Sequence, residues 1–89
     1  MKEDSPPQAA ALADELIVVR CQLGERAAFD ELIQCWHKPL LRYARNLTGN
    51  DSAANDVVQE VWLRVLRGIA RLRAGVKLRA WLFGLAHHV

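Results

Sequence analysis

Residues 49–72 read GNDSAANDVVQEVWLRVLRGIARL, and this stretch decides the fold class. Gly49 ends the pattern before it, and Asn50, Asp51 and Ser52 offer side-chain oxygens to the free N–H groups that open a helix. Ala54, Val58, Val61, Val65, Ile69 and Leu72 then recur every three or four residues, the period that lines one face of an α-helix. Asp56, Glu60, Arg64, Arg67 and Arg71 take the opposite side. Acids come first and bases last, as the helix dipole favours, and Glu60 stands four residues before Arg64 in the better orientation for a pair. The spacing predicts a helix over about 52–71. Gly68 inside it costs about 1 kcal/mol relative to Ala, a cost that close packing would explain.

Working outward, the same period appears on both sides. Phe29, Leu32, Ile33, Trp36, Leu40, Tyr43, Ala44 and Leu47 mark a long amphipathic helix over about 25–48. Pro39 sits inside it and should kink or locally break it, because proline lacks a backbone donor and crowds the preceding turn. Leu12, Leu16, Val19 and Leu23 mark an earlier helix over about 9–23, with Gly24 placed as a left-handed C-terminal cap. Residues 1–8, with Ser5-Pro6-Pro7, read as a flexible leader. Downstream, Arg73-Ala74-Gly75-Val76 reads as a short loop, and helical spacing resumes over 77–89 through Leu78, Trp81, Leu82, Leu85 and Val89. That last helix carries no stop signal, so a longer chain is expected beyond it. No strand pattern or repeat occurs, and the expected fold is all-α: one compact bundle of about four helices over 9–89.

Composition agrees with a single small domain: 89 residues, 52% hydrophobic and 25% charged. No apolar run approaches the roughly 20 residues a membrane span needs, and the N-terminus lacks the apolar stretch of a secretory signal. A cytoplasmic protein without a membrane partner is therefore expected. Cys21 and Cys35 are too few and too far apart for a zinc or disulfide framework, and buried structural thiols are expected of both. Charge is divided unevenly. Residues 1–60 hold six Lys/Arg against ten Asp/Glu, whereas residues 61–89 hold six Lys/Arg and no acid. An acid-free, Arg-rich segment suits a polyanion, because Arg grips phosphate bidentately and each neutralised phosphate releases a counterion. A merely solvating basic face is the plainer alternative.

Catalytic chemistry finds little support. There is no glycine-rich phosphate loop, no HExxH and no nucleophile elbow, and the acids lie on helix faces without a paired partner. His87 and His88 are adjacent, point about 100° apart on a helix and are poorly placed to share one metal ion. His37 reads as a surface histidine. Neither metal nor cofactor is expected, and the chain is not read as an enzyme. Trp36 and Trp81 fall on apolar stripes and are expected in the core. Trp62, with Leu66 one turn on, either widens the core face or forms an exposed apolar ridge.

Four stretches then resemble a known family in order and spacing: LIVVRCQLGERAAFDEL at 16–32, LLRYA at 40–44, DVVQEVWLR at 56–64 and LRAWLF at 78–83. Together they are similar to region 2 of bacterial sigma factors of the extracytoplasmic-function type (group 4), over nearly the whole chain from about residue 14. The resemblance implies an all-helical module that binds the clamp helices of the largest subunit of core RNA polymerase and recognises the minus-ten promoter element as it melts. Its polymerase-binding residues would be Asn55, Asp56, Gln59, Glu60, Trp62 and Leu66. On the DNA side, the loop at 72–79 would cup a base flipped from the non-template strand. Leu72 would line that cup, Arg71, Arg73, Lys77 and Arg79 would hold phosphates, and His88 would help read the element.

Three departures from the family pattern stand out, of which the histidine pair bears on promoter choice and Gly84 on a phosphate contact and the strength of the last helix. Gly84 stands where the family is usually basic, His87-His88 replaces a more usual Arg-Asn pair, and Leu72 replaces a common aromatic. The resemblance further implies a second domain for the minus-thirty-five element and admits an anti-sigma protein as a partner. Two other readings compete: a helix-turn-helix-like domain that binds duplex DNA, and a helical protein-interaction module without a nucleic-acid role.

Overall fold

Four helices follow one another in the computed structural model, which describes the backbone of residues 7–89 and side chains from residue 11: α1 (Pro7–Gln22), α2 (Arg26–Thr48), α3 (Asp51–Gly68) and α4 (Leu78–His87). One 3₁₀ turn, Ile69–Arg71, continues α3, and no strand occurs among the described residues. The expected all-α bundle of about four helices is the fold observed. The leader expected at 1–8 lies outside the described residues except for Pro7 and Gln8, with which α1 opens.

The turn between α2 and α3 is built by local chemistry. Gly49 adopts φ +69, which glycine alone takes without strain, and its N–H donates to the Arg45 carbonyl at 2.7 Å. Thr48 Oγ1 donates back to the Ala44 carbonyl at 2.9 Å. Asn50 is the N-cap of α3, its Oδ1 accepting from the Ala53 N–H at 2.9 Å. The chain therefore reverses within a few residues, and α2 packs along α3 more extensively than any other pair of elements.

The core is entirely apolar among the described residues. Ala28, Leu32, Leu40 and Ala44 of α2 meet Ala54, Val58, Val61 and Val65 of α3, and Leu78, Leu82 and Ala86 of α4 close over them. Cys21 of α1 and Ile69 of the 3₁₀ turn complete it. Gly68 has its reason here. A Cβ at that position would lie 3.3 Å from Trp81 Cζ2, so the missing side chain lets the indole seat against the end of α3.

Three expectations need correction, and the buried face of α1 is settled. The helix read over 52–71 ends at Gly68, and its last turn tightens to 3₁₀. Of the two outcomes expected at Pro39, the local break does not occur: the helix continues, and Leu40 and Ala44 beyond it are fully buried, so packing outweighs the lost hydrogen bond. Along α1, Leu12, Leu16, Val19 and Leu23 are 63%, 59%, 48% and 74% exposed, while Ile17, Val18 and Cys21 face the core. Residues 16–19 are apolar on two adjacent stripes, so the period identifies a helix without choosing its buried side. Cys35 is exposed; Cys21 is buried, and burial pushes its thiol pKa up.

Candidate functional site

The exposed side of α3 carries one candidate surface. At about 100° per residue, Asn55, Gln59, Trp62 and Leu66 form one stripe along the helix, and Asp56 and Glu60 a second beside it. Asn55, Asp56, Gln59 and Leu66 are exposed. Glu60 is half-buried and accepts a hydrogen bond from Arg64 Nε at 3.1 Å, the intrahelical pair that the spacing predicts. Trp62 is half-buried as well, and its indole N–H donates to His37 Nδ1 of α2 at 3.3 Å. Both readings of Trp62 thus meet in one residue: part of the ring widens the core face and the rest remains accessible. His37 is correspondingly not the free surface histidine expected. Leu63, 46% exposed, lies between the two stripes and was passed over because it falls outside the buried period. That same misfit is the signal that could have found it: a large apolar side chain on the polar side of a helix.

The second surface follows α3 directly. Arg71, Arg73 and Lys77 are exposed along the segment from the 3₁₀ turn to the start of α4, with Leu72 half-buried between them. Gly75 takes φ +91 and the Val76 N–H donates to the Arg73 carbonyl at 3.2 Å, which folds the segment into a tight turn. Among the described residues, none of the three cations forms an ion pair; the carboxylates that pair do so with Arg20, Arg45 and Arg64. The structure therefore gathers Arg71, Leu72, Arg73 and Lys77 into one short basic segment.

Arg79 and His88 stand apart from that group. The Arg79 guanidinium lies over the Trp36 ring of α2 at 5.2 Å from its centroid, a cation–π contact. Its charge also acts on Asp14 of α1, whose carboxyl is pushed up by burial and drawn partly back by Arg79. Beside it lies a shallow hollow of about 530 Å³ lined by Tyr43 and Phe83, whose rings meet edge to face at 5.1 Å, together with Arg42 and Asn46. His88 follows α4, about half a turn around the axis from Arg79 and roughly 15 Å along it from Lys77. Its neighbour His87 faces Tyr43, with Nδ1 3.4 Å from the phenol oxygen. The His87 and His88 rings themselves meet edge to face, 5.2 Å between centroids.

The helix order, the exposed α3 face and the basic segment before α4 frame a comparison with known proteins. The family described as Sigma-70 region 2 matches residues 23–89. The chain belongs to that family. Curated relatives of this region 2 domain include the RNA polymerase sigma factor YlaC of Bacillus subtilis, 29% identical over 66 residues, which cover 74% of this chain and 38% of the relative. The ECF RNA polymerase sigma factor EcfG of Rhodopseudomonas palustris is 42% identical over 52 residues, covering 57% and 29% of the two chains. The ECF RNA polymerase sigma factor SigM of Mycobacterium tuberculosis is 34% identical over 59 residues, covering 66% and 30%. The region 2 domain thus spans less than two fifths of these relatives, the largest share being 38%. No solved structure matches it significantly. Among the described residues, no helix is long and apolar enough to cross a membrane.

Proposed function

We propose that this region 2 domain acts in transcription initiation, docking on core RNA polymerase through α3 and holding the opened minus-ten element with the segment before α4. The observation that carries the reading is the separation of its charges. Arg71, Arg73 and Lys77 lie along the segment that follows α3 with no carboxylate partner among the described residues, while Asp56 and Glu60 stand earlier on α3 beside apolar Trp62, Leu63 and Leu66.

The chemistry follows from what each face can do. Carboxylates next to apolar side chains suit the Arg- and Lys-bearing flank of a coiled coil such as the polymerase clamp helices, with Trp62 and Leu66 as anchors. A pliable turn with cations on both sides suits a strand whose bases have left the stack: Leu72 packs against one base and the cations hold its phosphates. No covalent step is required. Opening is driven by the domain binding the unstacked strand more tightly than the duplex.

Capture by core RNA polymerase is the test. Glu60→Lys should abolish capture while leaving the melting temperature within a few degrees, because Glu60 is not part of the core. Capture that survives the reversal would remove α3 from the interface. Preference for duplex over single-stranded minus-ten oligonucleotides would favour the helix-turn-helix alternative, and binding of neither polymerase nor DNA would favour an interaction module.

A further inference from the structure

Gln22, the last residue of α1, reaches across to the basic segment. Its Nε2 donates to the Ile69 carbonyl at 2.9 Å and to the Leu72 carbonyl at 3.0 Å. An amide nitrogen carries two protons, so one side chain serves both acceptors. The two bonds fall where the backbone changes state. The Ile69 carbonyl also accepts from the Leu72 N–H at 3.1 Å, closing the 3₁₀ turn, and Leu72 itself is extended at φ −65, ψ 125. Gln22 therefore catches the chain on both sides of the point at which it leaves helical geometry.

Beyond the burial of Ile69 and the backbone bonds of its two turns, no other hydrogen bond from a side chain among the described residues restrains this segment. Lys77 stands at the N-cap of α4 and makes no side-chain capping bond. Among the described residues, no other side chain hydrogen-bonds the backbone between 69 and 77. The donor, by contrast, is fixed from behind. The end of α1 is closed by Gly24 N–H to the Cys21 carbonyl at 3.0 Å and Glu25 N–H to the Arg20 carbonyl at 3.0 Å. Arg20 ties that end to α2 through a two-pronged contact with Glu31 at 2.8 and 2.9 Å and a bond to Glu25 at 2.8 Å. The Arg20 guanidinium holds the Glu31 carboxyl below its ordinary range.

We propose that Gln22 is a positioning residue for the melted strand: without touching DNA, it holds the turn so that Leu72 and the flanking cations are presented together. The inference rests on the function proposed above. Gln22 is exposed, so water can replace its bonds and the fold loses little when they go. What is lost is preorganisation. A turn that samples other conformations binds with an affinity reduced by the fraction of time it spends in the right one.

The experiment compares the wild-type chain with Gln22→Met, which keeps the length and removes the donors, and Gln22→Ala. Amide hydrogen exchange at Leu72 and Val76, affinity for a single-stranded minus-ten oligonucleotide across a salt series, and capture by core polymerase are measured on each. Both variants should exchange faster at these two amides than the wild type and bind the strand about tenfold more weakly. The salt slope should not change, because no phosphate contact is removed, and polymerase capture should be intact. Unchanged exchange, or faster exchange with undiminished affinity, would overturn the role of Gln22. A wild type that shows no preference for the single strand would instead sink the functional reading, a result visible before any variant is compared.

Discussion

The molecule joins its helices in two opposite ways. Between α2 and α3 the turn is made from its own residues: Thr48, Gly49 and Asn50 satisfy the helix ends, and Arg45 reaches Asp51 at 3.0 Å. Between α3 and α4 the connection is longer, exposed and cationic, and the side chain that hydrogen-bonds its backbone comes from α1. The first turn serves the core. The second leaves its cations free for a partner, and restraint from a distance is compatible with that. A locally capped turn would occupy with capping groups the positions where this one carries Arg73 and Lys77.

Ways to break that contrast can be ranked. The largest effect should come from the core both connections depend on: Leu32→Ala, at a fully buried position of α2, should cost about 2–5 kcal/mol in urea unfolding followed by helical circular dichroism. In a domain this small that approaches the whole stability. Next, Asn50→Ala should cost about 1 kcal/mol by removing the α3 cap, whereas Lys77→Ala, at the uncapped start of α4, should cost less than about 0.5 kcal/mol. Equal costs at the two positions would erase the distinction between the turns. Gly84→Ala should stabilise by about 0.5–1 kcal/mol, since nothing lies within 4 Å of the added Cβ and a helix interior favours alanine. The smallest change in stability, about 0.5 kcal/mol or less, is expected for Arg71, Arg73 and Lys77 replaced together by Gln. Their effect should appear in single-strand binding, where the slope of log affinity against log salt should flatten by about two.

Much of this was legible in the chain, for a reason that differs by element. In α3, a single apolar stripe, an N-cap and a charge gradient all agree, so both its existence and its buried face could be read directly. The α1 stripe was legible as a helix but not as to its buried face, because Ile17 and Val18 offered a second apolar side next to the first. The basic segment was legible as composition: six cations without an acid after residue 60. Arg79 belonged to that count, yet it lies over the Trp36 ring of α2, which is not near it in sequence. Leu63 and His37 were missed because a residue outside the apolar period is ordinarily just solvated. For His37 the neighbour that gives it meaning is Trp62, across the bundle.

Sequence by itself determined that this protein is helical, where its helices begin, that its charges are divided, and which family it resembles. Each of these depends on spacing within one segment, or on counting residues, and neither needs a neighbour from elsewhere. Only the tertiary structure decided which side of α1 is buried, that Trp81 packs closely against position 68, that Trp62 is tied to His37, and that Gln22 holds the turn before α4. Those are contacts between groups in different elements, 13 residues apart for Gly68 and Trp81 and 47 and 50 for the two bonds of Gln22. Periodicity orders a residue relative to its own helix axis; only packing fixes how that axis is turned toward the others.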